Sequence, residues 1–460
     1  MKEYFASLSS FITNHPKFTT SVLFVLIAKA AISIFTPLSE DFLTTGVLVA
    51  PASIWAILKT DGPYLLWILL VKGTYTIWQI LPVNHPPAES MVGFWYFFPS
   101  LSSQLLIFML KLPLLVFDGL CALTIYKIAS WYGSSQERSL IASMLWLVNP
   151  YATLITEMFG AYDVIVVFFF LLSILCFLKE RFLQCAIALT VSICFKPYPL
   201  IVLPIFLIIL MRQKGLKGVI KFALTTLILT TAAILAVTIY AWRIGSLIDL
   251  FSYYSQKGSA YFIGFILESY TSRIGWTVPI QIGATIVFAV IYIFLMIEFW
   301  GQEKRSILDA LLGLCLIIFA FSYWHPQLLL WILPLITLDY ILNKTARPYP
   351  LIFVSTAFLF ELIYFSFYFT SHGNSLFFIP NYTQELTGLS NLIYPLYKTP
   401  YWIGSPAITL RSVFVSVCLY YLIKILIRNI NMLKAYVRAL SLGQTSSVQS
   451  SSHLTLSERD

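Results

Sequence analysis

Glu40 and Asp41 are adjacent carboxylates that follow the first long apolar run of the sequence. A carboxylate at a membrane surface can act as a general base and remove a proton from an incoming hydroxyl group. Any loop that leaves a membrane span also begins with polar residues. The pair is therefore either a candidate for proton transfer or, as these two residues alone favour, an ordinary loop start.

A second candidate site lies around Gly160-Ala161-Tyr162-Asp163, shortly after Glu157. Glycine permits a tight turn between two helix ends. Asp163 would then stand at the start of a helix, where a negative charge is favourable. This carboxylate could belong to a binding site together with Tyr162 and Glu157, or it could simply cap the helix.

Lys196 stands at the apex of the Phe195-Lys196-Pro197-Tyr198-Pro199 turn. We expect a hairpin there, because a single helix would not tolerate these prolines well. Arms of about 13 residues span only about 20 Å. The apex is therefore expected in a recess, where a cation suits a lipid phosphate; the alternative is a lysine that snorkels to the interface.

Two further cations, His325 and Arg411, are phosphate-binding candidates near the ends of apolar runs. His325 could equally be a residue of an interfacial aromatic belt. Lys29 and Asp118 lie within apolar runs and could form a structural ion pair, since an unpaired charge inside a span is costly. Asp309 and Asp339, near predicted cytoplasmic helix ends, are interpreted as helix caps.

The elements that would position these residues are membrane helices. The chain is 59% hydrophobic and only 11% charged, whereas soluble domains carry about 25% charged residues. Lipid leaves only helices or closed barrels as spanning structures, and the apolar runs are continuous rather than alternating. The sequence predicts an all-α integral membrane protein with about 12 spans (range 10–13), at approximately 18–37, 104–127, 139–157, 161–178, 183–195, 198–211, 218–242, 277–299, 306–322, 326–343, 349–370 and 407–427.

Lysine and arginine lie mostly in alternate gaps between these runs, which the positive-inside rule assigns to the cytoplasm together with both chain ends. Residues 1–430 are predicted as one transmembrane domain, followed by a cytoplasmic tail, 431–460, that is disordered at its end. The non-cytoplasmic loops are 38–103, 243–276 and 371–406. We expect amphipathic surface helices in the first of them, with a membrane hairpin at 62–82 as the alternative.

Sequence motifs for several kinds of chemistry are absent from this chain. The sequence contains no Walker A motif, dinucleotide-binding glycine loop, HExxH or GxSxG. The six cysteines lie in apolar runs without metal-ligand spacing. A site on the non-cytoplasmic face has no ready access to nucleotide sugars or ATP, so a group-transfer donor there would be carried by lipid.

The motifs occur in the order Asn149-Pro150, Gly160 to Asp163, Phe195 to Leu200 and His325-Pro326-Gln327. This order resembles the polyprenyl-phosphate-sugar-dependent glycosyltransferases of the GT-C class, especially archaeal and bacterial members related to the GPI mannosyltransferases. The resemblance covers residues 18–343. It implies a GT-C-like helical bundle in which Asp41, with Glu40 beside it, is the catalytic acidic residue of the first loop. Ala161 replaces a glutamine that many relatives have, and the family's Asp-x-Asp is absent.

From this resemblance we expect an inverting transfer of a hexose, mannose by preference, from a dolichyl or polyprenyl phosphate to a glycan, lipid or protein acceptor. Asp41 would be the base, and Lys196, His325 and Arg411 would stabilise the leaving phosphate. Asp163, Tyr162 and Glu157 would contact the sugar or acceptor. No resident cofactor or metal is implied, although a divalent ion stays open.

One alternative is a secondary transporter or a flippase for lipid-linked sugars, since twelve spans with both ends inside also describe many transporters. A third interpretation is a scaffold subunit with a decayed site. Nucleic acid is not expected as a partner. The expected location is the cell membrane, or the endoplasmic reticulum in a eukaryote, with the active site on the non-cytoplasmic face.

Overall fold

A computed structural model of the 460-residue chain describes residues 16–35, 65–83, 101–158, 160–196, 198–242, 278–300, 304–321, 326–343, 348–357, 359 and 406–441. These residues are helical or lie in the turns that join helices. The helices are α1 Pro16–Phe35, α2 Leu65–Ile80, α3 Leu101–Trp131, α4 Gln136–Leu147, α5 Pro150–Thr153, α6 Asp163–Leu178, α7 Phe182–Phe195, α8 Leu203–Trp242, α9 Val278–Glu298, α10 Ile307–Phe321, α11 Pro326–Leu329, α12 Leu333–Leu342 and α13 Pro406–Ser441. Residues 348–357 are also helical.

Three of the described helices are long and apolar enough to cross a membrane, within Leu105–Trp131, Tyr198–Ala233 and Ser412–Ile430. A fourth span results if the bent pair formed by α4 and the segment after it counts as one. Large apolar side chains face outward, as lipid would require: Phe24 is 72% exposed and Leu227 is 61% exposed. The predicted all-helical membrane class is therefore confirmed, while the number of twelve spans stays a prediction.

Helix α6 forms the centre of the bundle. Its sequence is apolar around its whole circumference, which is typical of a helix enclosed by other helices. Nearly all of its side chains are buried, and it packs against α3 on one side and α7 on the other. Helices α1, α2 and α4 pack around α3, and α10 packs against α9 and α13.

Breaks in the helices follow local sequence. The Asn149 side chain caps α5 by accepting hydrogen bonds from the backbone N–H groups of Tyr151 and Ala152, and Pro150 occupies the first helical position. The chain bends by 42° there and continues as a π-helical turn, Leu154–Met158. The predicted span at 139–157 is therefore a bent pair of helices, because the cap and the proline start a new helix, and whether the pair crosses the membrane stays a prediction.

Helix α8 contains a second break. Gly215 has φ 62° and ψ −173°, a conformation outside the helical region, so α8 is two helices joined at that residue. This agrees with the predicted separate spans at 198–211 and 218–242. The short helix Tyr198–Val202 that precedes α8 is a 3₁₀-helix.

Helix α2 packs against α3 and α7 and lies in the predicted first loop. Trp67 and Trp78 are fully buried, while Ile77 and Ile80 are exposed. One face of α2 thus contacts protein, and the other, which exposes Thr76 and Gln79 beside Ile77 and Ile80, is uncovered by the described residues. Both a surface position and a membrane crossing are compatible with such a helix.

Candidate functional site

The two turns that the sequence singled out meet in a buried ion pair. The Lys196 Nζ atom lies 2.7 Å from Asp163 Oδ2, and the side chains are 4% and 0% exposed. The indole N–H of Trp331 donates a hydrogen bond to the other carboxylate oxygen, at 3.1 Å. The start of α6, the end of α7 and the segment before α12 are therefore joined at one place, which we call the Asp163 end of the bundle.

Aromatic rings enclose the lysine. Its ammonium lies 4.5 Å from the ring centroid of Tyr162 and 5.8 Å from that of Tyr198. Trp67 of α2 stacks on Tyr162 at 4.9 Å, and Trp331 packs edge-on against Tyr198 at 4.5 Å. Ring faces attract a cation, so these contacts add to the ion pair in holding Lys196 in place.

Local backbone geometry sets up this arrangement. Gly160 has φ 72°, which only glycine adopts at little cost, and this tight turn brings Asp163 to the first position of α6. Lys196 has an extended backbone with φ −151° and ψ 139°, and its N–H donates to the Ser192 carbonyl at 3.1 Å. The helix ends there, and the lysine side chain reaches Asp163.

A second buried network joins α1, α3, α4 and the π-helical turn. Lys29 lies 2.6 Å from Asp118 and 3.2 Å from Glu157. The indole of Trp146 donates to Asp118 at 2.8 Å, and Lys111 donates to the backbone carbonyl of Glu157 at 2.7 Å. The predicted Lys29–Asp118 pair is confirmed, and Glu157 belongs to this network.

A third network corrects a prediction. Asp309 and Asp339 were interpreted as helix caps, but both accept hydrogen bonds from Arg428 of α13, at 2.5 and 2.9 Å. Tyr421 also donates to Asp339, and Asn429 donates to Asp309 at 3.2 Å. The guanidinium can bridge the two carboxylates because its N–H donors form a planar fork. These contacts hold α10, α12 and α13 together.

Basic connections meet at the opposite end of the bundle, which we call the basic end. Glu180, between α6 and α7, lies 2.7 Å from the Lys304 ammonium and 3.2 Å from that of Lys214. The Tyr132 hydroxyl donates to the Arg305 carbonyl at 2.7 Å. The hydrogen bonds from Lys304 and Lys214 lower the pKa of Glu180 below its usual value. The connections between helices that the positive-inside rule assigns to the cytoplasm therefore lie together at this end of the bundle.

The contact between Glu180 and Lys214 also settles the path of the chain at α7. The chain leaves the basic end at residue 182, turns at Lys196 and is back at the basic end by residue 214. The predicted hairpin is therefore confirmed.

The other predicted site residues have different outcomes. Glu40, Asp41 and His325 lie outside the described residues. Arg411 lies in α13, but its side chain is outside the described part. Tyr162, Asp163 and Lys196 come together. Within the described ranges, no three His, Cys, Asp or Glu side chains are grouped to hold a metal ion.

Three members of these clusters, Trp331, Trp67 and Arg428, had no distinguishing signal in the sequence. Trp331 lies six positions after His325, in a run that contained only aromatic and apolar neighbours. In the sequence, Arg428 is one of several basic residues that follow the last predicted span on the cytoplasmic side. An aspartate within an apolar run was the available signal, because such a carboxylate requires a partner.

A family model described as "GPI transamidase subunit PIG-U" matches residues 68–276, slightly under half of the chain. No curated protein matches the chain. The match is to a membrane-related family of the GPI pathway and includes Asp118, Glu157, Asp163 and Lys196.

This match corrects the predicted function. The expected relation to the GPI pathway is supported, but the resemblance to GT-C mannosyltransferases is not. The predicted glycosyltransferase activity, with a dolichyl or polyprenyl phosphate sugar as donor, is wrong, and the transporter alternative is not supported either. Proline-containing turns between apolar runs are not specific to one family of membrane proteins, so the short motifs could not identify the family. The expected roles of Asp41 as base and of Lys196, His325 and Arg411 as phosphate-stabilising groups belong to glycosyl transfer, so they have no support without that reaction.

Proposed function

We propose that this protein is a membrane subunit of a GPI transamidase, the complex that attaches GPI to proteins. The observation that carries the proposal is the family match over residues 68–276. The substrates of the complex would be a protein with a hydrophobic C-terminal signal and a GPI lipid. The membrane would be that of the endoplasmic reticulum, and the bundle would have the twelve spans predicted from the sequence.

The geometry of the matched region supports a structural role within such a complex. Asp163 and Lys196 are buried and paired with each other, and the indole N–H of Trp331 donates a hydrogen bond to the second carboxylate oxygen of Asp163. A charge held in this way supports the position of neighbouring helices rather than reacting with a substrate. We propose that the Asp163 end presents a fixed, aromatic-rich surface on the non-cytoplasmic side, against which the other components assemble.

The proposal is tested by complementation. In cells from which the endogenous PIG-U subunit has been deleted, this chain should restore surface display of a GPI-anchored reporter. A reporter with a transmembrane anchor serves as control, because its display does not require GPI attachment. Unprocessed precursor that still carries its C-terminal signal should disappear at the same time.

Affinity purification of the tagged chain from the same cells gives a second readout. The chain should bring down the other transamidase subunits in a mild detergent. The double substitution Lys196→Met with Trp331→Phe should weaken this association, whereas Lys217→Gln at the exposed basic end should not. A chain that neither rescues the reporter nor associates with any transamidase subunit would contradict the proposal.

A further inference from the structure

The described residues leave a groove on the surface of α13, and Tyr421, which donates to Asp339, is the member of the buried networks that lines it. Its volume is about 430 Å³, and it lies between α13 and helical residues 348–357. Six of its lining residues matter for its chemistry: Tyr349, Ile352, Ser412, Val413, Ser416 and Tyr420. Ile352, Val413 and Tyr420 are each about half exposed, at 48, 47 and 51%.

The wall of the groove is apolar in spite of its two serines. The Ser416 hydroxyl donates a hydrogen bond to the Ser412 carbonyl at 2.8 Å, so it is used within its own helix. Serine at these positions provides a small side chain and therefore room. An occupant gains mainly from removing apolar surface from water or from loosely packed lipid.

The dimensions favour a linear chain over a helix. From Ser412 to Tyr421 the groove extends about 14 Å along α13, at 1.5 Å per residue. The hydrocarbon part of one leaflet is about 15 Å thick, half of the bilayer's roughly 30 Å. An acyl chain of one leaflet therefore matches the length of the groove, whereas a helix that spans the membrane is about twice as long.

A cation stands at one end of the groove. Lys424 is one helical turn beyond Tyr420, and its ammonium lies 5.2 Å from the centroid of that ring. Tyr349 packs edge-on against Tyr420 at 5.6 Å and closes the same end. One turn further, Arg428 pairs with Asp309 at the start of α10, which follows the basic end directly. The positive charge thus lies toward the basic end and the apolar part of the groove extends away from it.

We propose that this groove binds one glycerophospholipid of the leaflet at the basic end. The lipid phosphate would lie against Lys424 and the phenol groups of Tyr349 and Tyr420, and an acyl chain would lie along Val413 and Ser416. An anionic head group is preferred because the surrounding connections carry lysine and arginine. This inference does not depend on the proposed transamidase role, since it concerns the isolated chain.

The test uses native mass spectrometry of the purified full-length chain titrated with phosphatidylserine in detergent. The wild type should bind a first phosphatidylserine molecule more tightly than any further phosphatidylserine molecules. Lys424→Gln should weaken that first binding step about fivefold, the effect of one surface cation. Ser416→Trp and, independently, Val413→Trp should fill the groove and weaken binding at least about tenfold, because the acyl chain loses its site.

Two matched controls lie outside the groove. Leu227→Trp adds the same bulk on an exposed face of α8, and Lys217→Gln removes a charge elsewhere at the basic end. Neither should change the first binding step. Equal loss of lipid from Ser416→Trp, Val413→Trp and Leu227→Trp would overturn the proposal, since it would indicate lipid that coats the whole surface. A Ser412→Cys variant that crosslinks to another polypeptide in the membrane would also overturn it, because a protein would then occupy the groove.

Discussion

Lys196, Lys29 and Arg428 are cations within the helical bundle, and each lies against a carboxylate from a different element. A single buried ion pair contributes little net stability, because both charges lose their hydration. Removing only one partner is much more costly, since the other charge stays buried. The pairs therefore specify which helices meet, even where they add little to overall stability.

Sequence reasoning found some of these partners and missed others. Lys29 and Asp118 could be paired from sequence, because both are charges inside apolar runs and each needs an opposite charge. Asp163 and Lys196 were each identified from their turns, but were assigned to a substrate rather than to each other. The role of Trp331 could not be predicted, because an indole in an apolar run has no distinctive signal and its N–H finds Asp163 only in the folded bundle.

We expect Lys196→Met to lower the free energy of unfolding by about 3–5 kcal/mol, because Asp163 would stay buried without its cation. Adding Asp163→Asn to that variant should restore much of the loss, since no unpaired charge then remains. Lys217→Met, at an exposed position, should change stability by less than about 0.5 kcal/mol. Denaturant titration of the purified chain in mixed micelles measures all three; equal stability of the single and double variants would argue against the pair.

At the scale of helices, the bounds of most elements followed from the sequence, and the internal breaks followed only in part. The predicted 161–178 and 277–299 correspond closely to Asp163–Leu178 and Val278–Glu298. Apolar run length and flanking charge are local signals, so they place helix ends well. The π-helical turn Leu154–Met158 has no local sequence signal, and its Glu157 contacts Lys29, a residue distant in sequence.

The break at Gly215 gives the first prediction at this scale. Gly215→Ala should destabilise the chain by about 1–3 kcal/mol, because φ 62° with ψ −173° is a backbone conformation that essentially only glycine adopts. Apart from its chain neighbours and the backbone of its own helix, none of the described residues has an atom within 4 Å of the added methyl group, so the cost comes from the backbone conformation and not from crowding by other elements. Gly73→Ala in α2 is the matched control: it also meets open space, and it should be neutral or stabilising by up to about 1 kcal/mol.

The contact of Glu180 with Lys304 and Lys214 predicts a dependence on pH. Its pKa is lowered in the folded chain, so its stabilising contribution is present above the ordinary pKa of about 4.5 and is lost as pH falls through the lowered value. The contribution should be less than about 1 kcal/mol, since the side chain is 46% exposed. Glu180→Gln should therefore lower the unfolding midpoint near pH 7, and this difference should shrink as the pH falls below 4.5 and through the lowered pKa. A difference that persisted at low pH or in high salt would exclude an ionic origin.

At the scale of the whole molecule, the arrangement of charge is consistent with a single orientation in the membrane. Glu180, Lys214, Lys304 and Arg305 come from three separate connections and lie at one end, opposite Asp163 and Lys196. The sequence predicted this grouping, because orientation depends on summed lysine and arginine rather than on precise packing. It could not predict the function, because many families use the same helical architecture.

Orientation can be measured with two reporters on the same chain. Glu137, at the start of α4, is exposed on the side of the basic end, and Asn381-Tyr382-Thr383 is a glycosylation sequon in the predicted non-cytoplasmic loop, outside the described residues. In intact microsomes, Glu137→Cys should react with a membrane-impermeant maleimide while Asn381 carries a glycan. The described native cysteines are buried or partly buried and should react slowly. Reporters on opposite sides require an odd number of crossings between residues 137 and 381, and the sequence predicts nine. A Glu137→Cys thiol that is protected while Asn381 is glycosylated would require an even number, and at least one of the predicted spans between them would then not cross the membrane.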